Sequence, residues 1–173
     1  MKLLRIRPNI NTLSRHMYST IYALSSGHGK CGVALIRVSG PKAFNALNLM
    51  TKKGKYEPRK VYLCKLRHPQ SGIILDQALS VWFPAPSSFT GEDTVEFQVH
   101  GGSAVVKGVL DALGSIKDYR PAKAGEFTKR AFQSGKLNLT EVEGLADLIN
   151  SETEYQRRQA FNQMEGDLHR YSK

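Results

Sequence analysis

The sequence contains few cysteines and no long apolar run. Cys31 and Cys64 are its two cysteines, and no CxxC spacing joins them. Because metal sites and redox motifs usually show cysteines paired at short spacing, we expect no metal site and no disulfide, with both thiols buried as small hydrophobic side chains. No run approaches the roughly 18 apolar residues that a membrane helix needs, so we expect a globular chain without a membrane span.

Acidic residues are absent from the first part of the chain. The first one is Glu57, although the whole chain carries a formal net charge of +10. All of this excess precedes Glu57, and from there to the end the basic and acidic residues balance. A nucleic-acid-binding domain usually concentrates basic residues on one face, together with aromatic side chains that stack on bases. Part of the excess has a simpler origin at the N-terminus.

Residues 1–19 contain four basic residues, no acidic residue and several Ser and Thr. This composition is typical of a mitochondrial transit peptide, which is rich in Arg and Ser and poor in acids. Pro8 would interrupt a long helix, and the continuous apolar core of a secretory signal is missing. The segment is therefore either a transit peptide that directs the protein to the mitochondrial matrix or a disordered basic tail.

The pattern of residues 20–120 predicts an α+β domain with one mixed sheet. Short apolar or alternating stretches, bounded by Gly, Pro and Ser, follow the order β-β-α-β-β-β-α. Residues 121–173 have helical character. There, Thr140 and Glu143 have the spacing of a capping box, and the apolar pattern behind them predicts one long helix that runs nearly to Lys173.

Two phosphate-binding patterns are excluded. Gly27, Gly29 and Gly32 satisfy the GxGxxG spacing of a dinucleotide-binding loop, but that fingerprint needs a following helix and an acidic residue about 20 positions further on. A strand follows here, and no acidic residue precedes Glu57. The three Gly-Lys pairs of the chain lack the upstream glycine and the Ser or Thr of a nucleoside triphosphate loop, so we expect no GTP site.

Two charged residues interrupt predicted strands. Arg37 lies on the same strand face as Val33 and Leu35, so its guanidinium either binds a partner or ligand or emerges into water at the strand end. Glu96 lies in the middle of the alternating strand 94–100. A carboxylate there could accept paired hydrogen bonds from a flat heterocycle, but an ordinary solvated strand face shows the same alternation.

Two further segments have ordinary interpretations when taken alone. Lys136 precedes the capped helix and is expected to be a solvated loop lysine. The run His100-Gly101-Gly102-Ser103 resembles the oxyanion segment of some hydrolases, but no GxSxG elbow supports a nucleophilic serine. Its backbone N–H groups either hold an anion at the start of a helix or form a simple turn. We predict no catalytic residue.

Three long stretches together resemble the N-terminal region of the TrmE/MnmE family, GTPases that modify the wobble uridine of certain tRNAs. The most specific motifs are WFPAPSSFTGED followed by HGG, and PAKAGEFTKRAF. The resemblance extends over about residues 20–170, and the basic leader indicates the mitochondrial branch of the family.

The resemblance implies a tetrahydrofolate-binding, aminomethyltransferase-like α+β domain at 20–120 that also forms a homodimer, followed by the start of a helical domain at 121–173. It implies that Arg37, Glu96 and Lys136 bind 5-formyltetrahydrofolate or a related reduced folate. In the family the complete enzyme works with a flavin-dependent partner protein, and tRNA would concern this chain only indirectly.

The family continues into a GTP-binding domain, which this sequence does not contain. We therefore expect a folate-binding and dimerising module that is not active alone. Two alternatives stay open: a free-standing folate-dependent one-carbon transferase, for which Glu96 and His100 are the candidate acid or base, and a regulatory chain that pairs with the full-length enzyme.

Overall fold

The computed structural model describes residues 19–27 and 29–166, so the expected transit peptide lies outside the described residues, apart from its last position. The elements in chain order are β1 (Thr20–Leu24), β2 (Cys31–Ser39), α1 (Ala43–Thr51), β3 (Tyr62–Arg67), β4 (Ile74–Phe83), β5 (Thr94–Gly101), α2 (Ser103–Gly114), β6 (Tyr119–Pro121), α3 (Glu126–Gln133), α4 (Leu139–Asn150) and α5 (Glu154–Gly166).

The six strands form one mixed sheet in the order β3-β4-β5-β2-β1-β6. β1 and β6 are parallel, and the other neighbouring strands are antiparallel. The expected α+β class with a mixed sheet is confirmed. The short strand β6 was not foreseen from the sequence.

One face of the sheet forms the core. In β5 the alternation buries Val95, Phe97 and Val99, and the residues opposite them in β2 are Val38, Ile36 and Ala34. Helices α1 and α2 complete this core with side chains that are fully buried: Leu47, Met50, Val109 and Leu113. Burial of each large apolar side chain contributes roughly 1.5–3 kcal/mol, so this side fixes the register of the strands.

The opposite face of the sheet, which we call the outer face, carries Arg37 and Glu96. The same face leaves three large apolar side chains exposed, since Val33, Leu63 and Leu79 expose 62%, 61% and 38% of their surfaces. Leu63 and Leu79 are cross-strand neighbours, whereas β5 with the polar side chains of Gln98 and His100 lies between them and Val33.

The chain divides into two compact units. Among the described residues, the first comprises 19–27, 29–88 and 92–122, and the second comprises 89–91 and 123–166. The first unit therefore contains the sheet with α1 and α2, and the second contains α3, α4 and α5.

The long helix predicted from Thr140 is wrong, because the structure has two helices, α4 and α5. Thr153 begins the second helix: its Oγ1 accepts from the Gln156 N–H, and the Gln156 side chain accepts from the Thr153 N–H. This arrangement is a capping box of the Thr-x-x-Gln type, which starts a new helix. The two helices approach closely at Gly144, where an added Cβ would lie 2.7 Å from Met164 Cγ.

The capping box predicted at Thr140 and Glu143 is also shifted. The residue that caps α4 is Asn138, whose side chain accepts from the Glu141 N–H at 2.9 Å, while Glu141 Oε2 accepts from the Asn138 N–H at 2.7 Å. Asn is as good a cap as Thr, so two overlapping x-x-Glu patterns competed in the sequence.

The two cysteines differ in burial, and the expectation that both are buried is wrong for Cys31. Cys64 is buried in the core, but Cys31 is exposed and its thiol donates to Val33 O at 3.0 Å. Cys31 opens β2 beside a register shift, where the strand has already left the core. Both thiols are free.

Candidate functional site

Arg37 and Glu96 face each other on neighbouring antiparallel strands. The register of β2 and β5 pairs these two residues directly, although they lie 59 positions apart in the chain. Because Ile36 and Phe97 beside them are fixed in the core, the alternation of both strands directs Arg37 and Glu96 to the outer face. The sequence marked each residue separately, and the structure brings them together.

The two side chains form a charged hydrogen-bonded pair. Arg37 Nε donates to Glu96 Oε1 at 2.8 Å, and Arg37 Nη2 lies 2.8 Å from the same oxygen. The side chains expose only 20% and 17% of their surfaces. Loss of either partner would leave a half-buried charge, at a cost between the ~0–1 kcal/mol of a surface ion pair and the ~3–5 kcal/mol of a fully buried one.

The polar face of β5 continues from Glu96 through Gln98 to His100, and all three follow the period of two. Gln98 and His100 are exposed. At about 3.3 Å per residue, the carboxylate of Glu96 and the ring of His100 begin from positions about 13 Å apart along the strand. The face is long enough for an elongated ligand with a flat head.

His100 has an acidic partner that sequence analysis missed. Asp76 of β4 accepts from the His100 backbone N–H at 2.8 Å, and its other oxygen lies 2.8 Å from His100 Nδ1. The Asp76 side chain is only 9% exposed, whereas that of His100 is 70% exposed. Asp76 interrupts an apolar strand just as Arg37 does, so the criterion that marked Arg37 would have marked it too.

Burial and hydrogen bonding act on the pKa of Asp76 in opposite directions. Burial raises it, but the hydrogen bonds from the His100 backbone and ring and from the Gln77 backbone lower it more, so that the pKa lies below its ordinary value. The carboxylate is therefore ionised at neutral pH, and it holds the imidazole of His100 in a fixed orientation.

Lys136 belongs to the second unit, whereas Arg37 and Glu96 belong to the first. Its side chain is exposed, as the loop interpretation expects, and its backbone N–H donates to Ala131 O at 2.8 Å. An added Cβ at Gly91 would lie 3.4 Å from Lys136 Cγ, so the lysine packs beside the Gly91 loop. Gly91 has a φ of +79°, which favours glycine there.

The glycines of the His100-Gly101-Gly102 run have a structural role. An added Cβ at Gly101 would lie 2.4 Å from Cys31 O, so only glycine allows β2 and β5 to pair there. Gly102 is the N-cap of α2, has an extended backbone and makes no side-chain cap.

A pocket of about 700 Å³ lies elsewhere in the first unit, between β1, α2 and the strand β6. Its lining includes Tyr22, Leu24, Leu110 and Ala122. None of the three predicted ligand-binding residues lines it. It is largely apolar, and Asp111 is the acidic residue at its edge.

Two kinds of site are absent from the described residues. Among residues 19–27 and 29–166, no group of three or more His, Cys, Asp or Glu side chains could hold a metal ion. Within the same ranges, no helix is long and apolar enough to cross a membrane.

Comparison with known proteins finds the same family that the sequence motifs indicated. The family described as GTP-binding protein TrmE N-terminus matches residues 20–136. The 5-taurinomethyluridine-tRNA synthase subunit GTPB3, mitochondrial, of Danio rerio is 61% identical over 151 residues, which cover 87% of this chain and 30% of that protein. The human protein of the same name is 60% identical over 156 residues, 87% of this chain and 31% of that protein.

A bacterial relative gives the same result. The tRNA modification GTPase MnmE of Parvibaculum lavamentivorans is 55% identical over 149 residues, which cover 86% of this chain and 34% of that protein. The chain thus spans about a third of the length of the curated relatives it matches. Since the family match covers more than half of the chain, the protein belongs to the family described as GTP-binding protein TrmE N-terminus.

Proposed function

We propose that this chain is a folate-binding, dimer-forming module of a mitochondrial enzyme that modifies the wobble uridine of tRNA. The observation that carries the proposal is the Arg37–Glu96 pair on the outer face of the sheet. A half-buried carboxylate there, already oriented by a guanidinium, has the chemistry to accept the adjacent N–H donors of a pterin ring.

The carboxylate tail of a reduced folate needs positive partners. Lys136 and Arg37 are the residues that the family resemblance assigns to the ligand, besides Glu96, and an arginine can bind a carboxylate through two parallel hydrogen bonds. Because Arg37 already donates to Glu96, we expect its first role to be holding the carboxylate in place. The ligand we expect is 5-formyltetrahydrofolate or a related reduced folate.

Dimer formation is supported by the apolar part of the outer face. Val33, Leu63 and Leu79 are exposed on strands β2, β3 and β4, and a second copy of the chain could cover them. A dimer through this face would place the Arg37–Glu96 pairs of the two protomers near the interface, since all of these side chains share one side of the sheet.

The names of the relatives support a proposal about the location and the biological partners. The Danio and human proteins are named mitochondrial, and their names describe a subunit of a synthase that acts on tRNA. We propose a mitochondrial matrix location, a flavin-dependent partner protein and tRNA as the final substrate of the complex. No GTP site is expected in this chain.

A free-standing one-carbon transferase is the second candidate, and the His100–Asp76 pair favours it. An exposed imidazole oriented by a buried carboxylate is an arrangement that general bases use. The two functions are distinguished by assaying the isolated chain before and after His100→Asn: a transferase would lose its activity, whereas a binding module would show none in either protein. A regulatory chain would instead bind the full-length enzyme and lower its activity.

Calorimetry with 5-formyltetrahydrofolate tests the proposed binding function. Glu96→Gln keeps the shape of the side chain but removes its charge, and the loss of a charged hydrogen bond lowers affinity by about ten- to a hundredfold. The matched control is Glu143→Gln, which makes the same change on the exposed surface of α4 and should leave affinity unchanged. Equal affinities of Glu96→Gln and the wild type would refute this binding site.

A further inference from the structure

A second concentration of charge lies away from Arg37 and Glu96, on the segment that joins α1 to β3 and on β3 itself. Residues 52–67 contain seven basic residues and one acidic residue, Glu57. We name the basic residues the basic strip: Lys52, Lys53, Lys55, Arg59, Lys60, Lys65 and Arg67. Six of the seven are exposed, and Arg67 is half-buried. Part of the positive charge of the chain is therefore clustered on the folded surface, beyond the leader segment.

Little of this charge is neutralised within the part of the chain that the structure describes. Glu57 pairs with Lys60, whose Nζ lies 2.9 Å from Glu57 Oε1. No acidic side chain of the described residues forms an ion pair with Lys52, Lys55 or Lys65. Like charges that repel each other without internal partners destabilise the fold slightly, and an external polyanion would relieve that repulsion.

The aromatic ring within the strip is covered by cations. The ammonium groups of Lys53 and Lys60 lie 4.2 and 5.9 Å from the centre of the Tyr62 ring, and the ring of Tyr56 packs edge-on against it at 5.1 Å. Base stacking requires an open ring face. The strip therefore offers positive charge without a stacking platform, a combination suited to phosphate contacts that do not read sequence.

The position of β3 adds to this chemistry. β3 is the terminal strand of the sheet, so its outward edge pairs with no strand among the described elements. Lysines on edge strands also discourage pairing with other strands, and Lys65 would serve that purpose alone. Lys52, Lys53 and Lys55 precede the strand and have no edge to protect.

The composition of the strip favours a nucleic acid over an acidic protein. Five of its seven basic residues are lysines, and lysine is depleted in the buried centres of protein interfaces. A strip of exposed lysines suits a line of phosphates instead, where binding is driven by the release of counterions.

We propose that the basic strip binds the phosphodiester backbone of RNA and holds the tRNA substrate against the sheet-edge side of this unit. The choice of RNA rests on the proposed role in tRNA modification. The contact is electrostatic and independent of base sequence, so it positions the tRNA and leaves the choice of the modified base to other parts of the complex.

Fluorescence anisotropy with a labelled, unmodified tRNA transcript tests this proposal over a series of salt concentrations. In Lys53→Glu/Lys55→Glu, two phosphate contacts are lost, so the slope of log affinity against log salt falls by about 1.4–1.8. Affinity at ~0.1 M salt falls about tenfold or more. The matched control, Lys117→Glu/Lys129→Glu, makes the same charge change at exposed positions outside the strip and keeps both slope and affinity.

Three results would overturn the proposal: unchanged tRNA binding in Lys53→Glu/Lys55→Glu, an equal loss of affinity in the control, or polyglutamate binding to the strip as tightly as tRNA does.

A second variant, Lys55→Gln/Lys65→Gln, serves if charge reversal perturbs folding. It removes two positive charges without adding negative ones and should lower the salt slope by a similar amount. Folate calorimetry on the same variants separates the two claims. If the strip variants retain folate binding and also keep their tRNA binding, the proposal for the strip is refuted and the folate site is unaffected. A loss of folate binding in Glu96→Gln tests the folate site and says nothing about the strip.

Discussion

Two carboxylates of the sheet have partners that hold them in place, and both pairs join residues far apart in the chain. Glu96 is held by Arg37 across β2 and β5, and Asp76 is held by His100 across β4 and β5. A charged side chain inside a sheet stabilises the fold only if such a partner meets it, because an unpaired charge loses its hydration without compensation. Both pairs therefore depend on the register in which β2, β5 and β4 align.

Asp76→Ala should lower the free energy of unfolding by about 1–3 kcal/mol at neutral pH, because the N–H of His100 loses a charged acceptor. The folded-state pKa of Asp76 is depressed, so its contribution is present above the unfolded value near 3.9 and is lost as the pH falls through the folded pKa. The difference in stability between wild type and Asp76→Ala should therefore shrink below about pH 4. Urea unfolding at a series of pH values measures it.

The control for this prediction is Asp147→Ala, a change on the exposed surface of α4 that should alter stability by less than about 0.5 kcal/mol. A stability difference for Asp76→Ala that stays constant from pH 7 to about pH 2 would contradict the assigned role of the carboxylate.

The sequence marked Arg37 and Glu96 because each is charged within an otherwise regular strand, and their part in folate binding stays a prediction. Their pairing was not predictable, because it depends on how β2 aligns with β5, and that alignment is decided by core packing across 59 positions. The burial of Cys31 was mispredicted for a related reason, since no local signal marks the register shift beside it.

At the level of helices and strands, the prediction succeeded for long periodic segments and failed at short or polar ones. β5 and α2 have clear periods of two and about 3.6 residues and were foreseen. β6 is three residues long, contains Pro121 and depends on parallel pairing with β1, so its sequence carries no strand signal of its own. The break between α4 and α5 was overlooked because Thr153 and Gln156 lie inside an uninterrupted polar stretch without proline.

The cap of α4 gives a direct test at this level. Asn138→Ala removes the acceptor of the Glu141 N–H and should destabilise the second unit by about 1 kcal/mol. Thr140→Ala is the matched control, because Thr140 occupies the first turn of the helix and alanine is the better helix former. Circular dichroism during thermal unfolding should show a lower midpoint for Asn138→Ala and an unchanged or higher midpoint for Thr140→Ala. The reverse order would mean that Thr140 and Glu143, and not Asn138 and Glu141, form the capping box.

At the scale of the whole molecule, the outer face of the sheet combines a charged pair with exposed apolar side chains. We propose that these two features serve one purpose, a folate site close to a dimer interface. Lys65 of the basic strip lies on this outer face beside Leu63, whereas Lys52, Lys53 and Lys55 lie on the segment that precedes β3.

Light scattering tests the dimer. Leu63→Glu places a charge in the apolar part of the outer face and should convert a dimer into a monomer at micromolar concentration. Ile149→Glu makes the same change at a side chain that is 74% exposed on α4 and should leave the dimer intact. A wild-type protein that is strictly monomeric would contradict the dimer. A dimer that only Ile149→Glu disrupts would place the interface away from the outer face.

Nuclear magnetic resonance of the nitrogen-15-labelled protein, titrated with 5-formyltetrahydrofolate, tests the proposed position of the folate site. A ligand bound at the Arg37–Glu96 pair should cause saturable shifts of the backbone amide signals around Arg37 in β2 and around Glu96 in β5. Shifts confined to the pocket residues Leu110, Gly114 and Ala122, with the signals around Glu96 unmoved, would contradict it.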